Sequence, residues 1–263
     1  MVGSALYRYL ARERLRDTPQ AFPGQFRLTS LMLWPFRTVK TAYGPQIIAH
    51  GKDWTNLAAA SGHYGDELPS LIQSLPRDAL FLDIGANLGI FSLLASQHLF
   101  KGKVVSFEPN PRVFKDLQRN IILNRCRNIT AYNCGVSNET GVQTLWVDPR
   151  HTGAGSLRAR PTQSIDIQLV PASESIAPHL DHLPGPAFCK IDTEGAEFHI
   201  LTALAICGAL HRLDQVYLEI DHAHLTECGS SEADIYQLMM SNGFEARYDR
   251  LGTPHYDQLF VKR

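Results

Sequence analysis

Several things that would mark a special class of protein are scarce in this sequence. The five cysteines (Cys126, Cys134, Cys189, Cys207, Cys228) are odd in number and contain no CxxC pair. That argues against a disulfide framework or a zinc knuckle and for a reducing cytoplasm. No apolar run approaches the length needed to cross a bilayer. The first ten residues have no long hydrophobic stretch and are followed by Arg12, Arg14 and Arg16, which argues against a secretory signal. This basic amphipathic opening reads as a solvated helix, with contact to a membrane surface as the alternative. Net charge is nearly absent, at -1, so there is no basic stripe for nucleic-acid phosphates. Internal repeats and low-complexity tracts are also missing.

What is present is a globular composition, 44% hydrophobic and 19% charged, over 263 residues. That length suits one large α/β domain with an N-terminal extension; we expect the extension at 1–57 and the domain at 58–263. A helix is expected over residues 5–16, broken by Pro19 and Pro23-Gly24. Two short strands around Tyr43-Gly44-Pro45 are expected to form a lid or edge hairpin outside the central sheet. Leu68, Leu71, Ile72 and Leu75 fall at helical spacing and predict a helix over Asp66–Leu75. Strands then alternate with helices. The strands are predicted at 79–84, 103–108, 128–134, 188–192 and 216–220, with helices at 87–98, 111–124, from 196, and 231–242. Such alternation gives a mostly parallel sheet covered on both faces. Two last strands, 244–248 and 258–261, have no helix between them and predict an antiparallel edge hairpin, making seven strands in all.

In open sheets of this kind ligands sit at the carboxyl ends of the strands, so the polar residues there carry the argument. Asp83-Ile84-Gly85-Ala86-Asn87-Leu88-Gly89 closes the first strand and opens a helix. Gly85 permits a tight turn, and Gly89 is expected to permit close approach of backbone to ligand. The segment is not GxGxxG, because Asn87 stands where the second glycine would be. It suits a ligand carrying an ammonium group and no phosphate better than a dinucleotide pyrophosphate. Glu108, at the end of the second strand, is placed to accept hydrogen bonds from a ribose diol and disfavours a 2′-phosphate. Either feature alone is weak, since a glycine turn after a strand is commonly structural; the two at this spacing reinforce each other.

FLDIGANLGIFSLLA, VVSFEPNP and CKIDTEGAE, in that order, resemble the three marker segments of the FkbM-type methyltransferases. The resemblance covers about residues 60 to 220, and the loop Thr152–Leu157 is similar to that family's Gly/Ser segment. It implies a Rossmann-like class I methyltransferase fold and S-adenosyl-L-methionine as methyl donor. The acceptor it implies is a hydroxyl oxygen on a sugar or other natural-product scaffold. Asp83 and Gly85 would then line the methionine end, Asn87 would also contact the cofactor, and Glu108 would bind the ribose. Asn110 and Val136 would lie near the adenine. Tyr64 and Glu67 match the family's Tyr–x–x–Glu position and would reach the methionyl ammonium or carboxylate. Asp192 would contact the cofactor close to the transferred methyl, with Glu194 just beyond it. Glu194 and Glu197 have a plainer role open to them, favouring a helix N-terminus through its dipole. The first 50 residues carry no family motif; we expect them to shape the acceptor side and to contribute little to cofactor binding.

Glu219, Asp221, His222 and His224 close the next strand on the same edge. An alcohol must lose its proton as it attacks, and an unperturbed imidazole, with a pKa of about 6.5, suits that task. The expected base is therefore His222, with Asp192 and Glu194 positioning the acceptor. A divalent metal held by Asp192, Glu219 and Asp221 is the alternative. Two rival readings of the whole chain are an NAD-dependent oxidoreductase, against which the missing GxGxxG counts, and a non-catalytic S-adenosylmethionine-binding protein.

Overall fold

The computed structural model describes residues 38–48, 54–62, 64, 65, 67–148, 151–156 and 163–263. The helix expected at residues 5–16 lies outside them.

The hairpin before the domain is present as β1 (Thr38–Lys40) and β2 (Gln46–Ile48), an antiparallel pair separate from the central sheet. Helices α1 (Trp54–Ser61) and α2 (Leu68–Ser74) follow. The alternating core then runs β3 (Leu80–Ile84), α3 (Ile90–His98), β4 (Lys103–Phe107), α4 (Pro111–Leu123) and β5 (Ile129–Tyr132). After an insertion it resumes with β10 (Ala187–Ile191), α6 (Glu197–Ile206), β11 (Gln215–Asp221), α7 (His222–Glu227), α8 (Glu232–Ser241), β12 (Phe244–Ala246) and β13 (His255–Lys262). These strands make a seven-stranded sheet in the order β12-β13-β11-β10-β3-β4-β5. The five from β11 to β5 are parallel, and β13 and β12 complete the edge as antiparallel neighbours. The fold is the expected Rossmann-like α/β architecture, a mostly parallel seven-stranded sheet with an antiparallel edge pair.

Alternation along each strand divides the core in two. Leu82, Ile84, Val105, Phe107, Cys189, Ile191 and Leu218 face one way, against Leu201 and Leu204 of α6 and Met239 of α8. Phe81, Val104, Phe188 and Tyr217 face the other way, against Leu68 and Ile72 of α2 and Phe91 and Leu94 of α3. A sheet buried on both faces needs near-continuous apolar strands, and β3 and β10 are buried at every residue. Polar side chains on those strands are thus exceptions that need partners.

One part of the fold was not expected. The third predicted strand ends at Tyr132, and the chain leaves the central sheet to form β6 (Gly135–Ser137), β7 (Gly141–Asp148), β8 (His151–Ser156) and β9 (Gln163–Pro171). They form a second, four-stranded sheet in the order β6-β9-β7-β8, followed by the short helix α5 (Ala172–Ser175). The segment read as a Gly/Ser loop at Thr152–Leu157 is therefore mostly strand β8, paired antiparallel with β7. β7 and β9 are half-buried or exposed along much of their length, so no apolar run announces them.

Among the described residues no helix is long and apolar enough to cross a membrane.

Candidate active site

The strand order reverses between β3, which leads to β4 and β5, and β10, which leads to β11. The reversal opens a crevice at the carboxyl ends of these two strands. The turn after β3 is held there by the Gly85 and Ala86 N–H groups, which donate to Phe107 O at 3.0 and 2.9 Å. Gly85 has φ +78°, and a Cβ on it would lie 1.8 Å from the Asp192 carbonyl oxygen, so only glycine fits. Gly89 differs from expectation. A Cβ there would meet Leu117 Cδ1 at 2.3 Å, so its close approach is to α4 and not to a ligand.

Glu108 follows β4. Its Oε2 accepts from the Asn87 N–H and its Oε1 from the Asn110 N–H, both at 2.8 Å. Burial raises its pKa to about 7 in spite of these two bonds. Each carboxylate oxygen keeps a second acceptor site. Asn87 adds a buried Oδ1 with no partner at φ +50°. A buried acceptor without a donor is costly, and this corner therefore fits a ligand bringing O–H or N–H groups, as a ribose and an ammonium do. The Asn110 side chain is used differently: its Oδ1 caps α4 by accepting from the Arg112 N–H at 3.0 Å.

Asp83, expected to line the ligand, has no exposed surface. Its Oδ2 accepts from Ser92 Oγ at 2.5 Å, and its Oδ1 lies 3.3 Å from Lys190 Nζ. The structure places it beneath the turn, where Lys190 meets it across the β3–β10 register. Lys190 itself went unread in the sequence. Its ammonium donates to Gly85 O at 2.9 Å and lies 3.2 Å from Asp192 Oδ2. Burial opposes the charge, but Asp192 and Asp83 outweigh it and hold the Lys190 pKa above the usual lysine range.

Asp192 continues β10 into the loop, and Glu219 lies opposite it one step beyond the Ile191–Leu218 pair, on the neighbouring parallel strand. Burial and the charge of Asp192 push Glu219 up to about 7, although His255 Nε2 sits 2.8 Å from its Oε1. The same contact raises His255 to about 9. Glu194 has φ +57° and brings its Oε2 to 2.9 Å from His224 Nδ1. Burial, then repulsion from Glu219 and Asp192, raises it to about 9. Glu197 is buried and holds this loop in shape. Its Oε1 accepts from the Thr193 N–H at 2.8 Å and Thr193 Oγ1 at 2.9 Å, and its Oε2 from the Gly195 N–H at 2.9 Å.

His222 is not part of this group. It opens α7 and its Nε2 lies 3.4 Å from Glu232 Oε1. The imidazoles that reach the acids are His224 and His255. Asp221, suggested as a metal ligand, caps α7 through its Oδ1, which accepts from Ala223 N at 2.8 Å and His224 N at 3.0 Å. Among the described residues no three His, Cys, Asp or Glu side chains converge as a metal-ligand set.

Tyr64 stacks on Phe91 with ring centroids 5.2 Å apart, and its backbone is pinned by the Tyr43 hydroxyl. Burial first, then the charge of Asp192, raises its pKa, which places the phenol within electrostatic reach of the β10 strand end. Glu67 is paired with Arg250 at 2.6 Å, and that guanidinium lies 4.6 Å from the Tyr248 ring centroid. On the α6 side of the crevice a cavity of about 480 Å³ is lined by Gly85, Pro109, Val136, Thr193, Phe198 and His199, among others. Val136 thus borders a ligand-sized space that begins at the turn.

The buried acids carry a measurable consequence. Glu108, Glu194, Glu219 and His255 all have native pKa values above their ordinary ones. The native state therefore binds more protons than the unfolded chain, and stability falls as pH rises. His179, whose pKa is lowered, works against this at acid pH. Thermal unfolding of the ligand-free protein should show Tm decreasing from pH 6 to pH 9, by roughly 2–4 °C for each kcal/mol lost. A Tm that rises over that interval would contradict the assignment of these four groups.

Residues 83–246 match the family described as Methyltransferase FkbM domain. The chain is 24% identical over 201 residues to Methyltransferase 1 of Beauveria bassiana (strain ARSEF 2860), an alignment spanning 68% of this chain and 77% of that protein. It is 34% identical over 87 residues to Methyltransferase sdnD of Sordaria araneosa, spanning 33% of this chain and 34% of the other. Among solved structures it is similar to the precorrin-6y C5,15-methyltransferase of Geobacter metallireducens GS-15, with TM-score 0.41, 18% identity, and coverage of 74% of this chain and 89% of that one. It is also similar to SMU.1697c of Streptococcus mutans in complex with SAH, with TM-score 0.44, 12% identity, and coverage of 75% and 96%.

Proposed function

The chain belongs to the FkbM methyltransferase family and uses S-adenosylmethionine, and from that premise we propose that it methylates the oxygen of a hydroxyl group on a sugar or natural-product scaffold. Family membership sets aside the nicotinamide-dependent and non-catalytic readings. When bound, S-adenosylmethionine supplies an electrophilic methyl group on a sulfonium.

The observation that carries the oxygen acceptor is the pair Asp192 and Glu219, side by side at the ends of β10 and β11, with Glu219 raised to about 7. An aliphatic alcohol must give up its proton as its oxygen attacks carbon. A carboxylate tuned to neutral pH, held by His255, is matched to that proton. Asp192 orients the acceptor oxygen in line with the methyl, and alignment of this kind supplies several kcal/mol of a displacement barrier. Glu194, its pKa raised to about 9, lies 2.9 Å from His224 Nδ1 and keeps the Thr193–Gly195 loop against α7. The role expected of His222 passes to Glu219.

For the cofactor, Glu108 holds the ribose diol through its two remaining acceptor sites, with Asn87 beside it. Val136 and Pro109 border the adenine, and Tyr64 covers the methionine end. Glu108→Ala should weaken binding of S-adenosylhomocysteine about 10- to 100-fold, the cost of losing charge-assisted hydrogen bonds. Calorimetry giving wild-type affinity in that variant would remove the ribose assignment.

The acceptor proposal is tested with labelled S-adenosylmethionine and a panel of sugars, hydroxylated natural-product scaffolds, amines and carbon nucleophiles. Label recovered in an ether stable to mild acid and base supports it. Label found only on nitrogen or carbon overturns it.

A further inference from the structure

We propose that Asn120 is a positioning residue for the cofactor-binding turn, its amide oriented by the N-terminal hairpin. The proposal rests on the methyltransferase reading of the site and concerns a residue 37 positions past the first marker segment's Asp83.

Asn120 and Asn124 lie one helical turn apart on α4 and face β2. They complete the free edge of that strand as another strand would. Asn124 Oδ1 accepts from the Gln46 N–H at 2.8 Å, and its Nδ2 donates back to Gln46 O at 2.6 Å. Asn120 Oδ1 accepts from the Ile48 N–H at 2.8 Å. The alternation of a strand edge requires this spacing, since Gln46 and Ile48 present their N–H groups on the same side while Ile47 packs inward against Ala59, Ile90 and Leu93.

The two asparagines then differ. Asn124 Nδ2 closes back on Gln46 and on Asn120 O, within the hairpin–helix contact. Asn120 is fully buried, and its Nδ2 donates to Leu88 O at 2.9 Å. Leu88 sits between Asn87, whose N–H holds Glu108, and Gly89, which opens α3. The Ile48 N–H thus decides which way the amide points: oxygen to the hairpin, nitrogen to the turn. Without that donor the Leu88 carbonyl is left unpaired at a buried site, and the turn that carries the Asn87 N–H, one residue before Leu88, loses a tether. The hairpin, expected to shape the acceptor side and contribute little to cofactor binding, reaches the cofactor turn through Asn120.

The test needs no acceptor. Asn120→Leu, which keeps the branched shape and the number of side-chain heavy atoms but cannot hydrogen-bond, should bind S-adenosylhomocysteine at least tenfold more weakly by calorimetry. Asn124→Ala, which loosens the hairpin without touching Leu88, should stay within threefold of wild type. Asn120→Asp should be weak at pH 8 relative to wild type and recover at pH 5.5, when a protonated carboxyl can again donate to Leu88 O. Hydrogen exchange should accelerate at the Asn87 and Gly89 amides in Asn120→Leu and not in Asn124→Ala. Unchanged affinity and exchange in a folded Asn120→Leu protein would overturn the proposal, as would equal losses in the Asn120 and Asn124 variants. If Asn120→Leu does not fold, the pH-dependent recovery of Asn120→Asp decides alone. A wild-type protein that failed to bind S-adenosylhomocysteine would instead overturn the reading on which this one rests.

Discussion

Glu219→Gln should cut methyl transfer by roughly 10²–10⁴-fold while leaving affinity for S-adenosylmethionine unchanged. The glutamine keeps the side-chain volume and can still meet His255, so the fold should survive; what disappears is the site that accepts the proton. Three features single out Glu219 among the acids. It stands in register with Asp192 on the adjacent strand. Its pKa of about 7 lets it be ionised and still basic near neutrality. His255, raised to about 9, stays protonated over the same range and fixes one carboxylate oxygen, leaving the other for the acceptor. Glu194 fails the second criterion, because at about 9 it is already protonated. With saturating substrates the wild-type rate should climb with pH through about 7 as Glu219 loses its proton, and Glu219→Gln should flatten that limb. His222→Ala serves as the control. Its partner is Glu232, so turnover should stay within about threefold of wild type. A large loss in His222→Ala with little in Glu219→Gln would restore the histidine as base. Activity abolished by chelator and regained with Mg²⁺ would replace both with a metal.

The parallel core was legible because its signal is local and repeated. Apolar strands such as Phe81–Ile84 and Val104–Phe107 carry an acid at or next to their ends, Asp83 and Glu108, and each is followed by a helix of helical periodicity. The second sheet was not legible, since β7 and β9 carry Thr, Gln, Ser and Asp on faces that stay partly in water. The site divides in the same way. Glu108 and Asp192 are strand-end residues and could be placed from position alone. The Glu219–His255 contact joins residues 36 apart through the antiparallel β11–β13 register, and no spacing rule announces it. Which of His222 and His224 reaches the strand-end acids was hidden by a change of period. The strand ends at Asp221 and a helix begins at His222, so two residues on is about 200° around the axis. One imidazole therefore turns to Glu232 and the other to Glu194. Lys190 did leave a trace, a lysine inside the run Phe188-Cys189-Lys190-Ile191. A cation in a strand buried on both faces must have an anionic partner nearby.

That lysine carries the largest expected effect on stability. Lys190→Met should destabilise the protein by about 3–5 kcal/mol, the usual result of removing one member of a buried ion pair. In a domain of this size that lowers Tm by roughly 6–20 °C. The methionine fills nearly the same space, so lost packing contributes little; the damage is electrostatic. Asp83 has no exposed surface and would keep its charge with only Ser92 to stabilise it, and Gly85 O would lose its donor. Asp192, partly exposed, would suffer less. One further outcome separates this account from a simple packing defect. Adding Asp83→Asn to Lys190→Met should restore part of the stability, since neither member of the buried pair is then charged. A Lys190→Met protein melting within 2 °C of wild type at pH 8, or a double variant less stable than the single, would show that Lys190 is not the cation on which the strand ends depend.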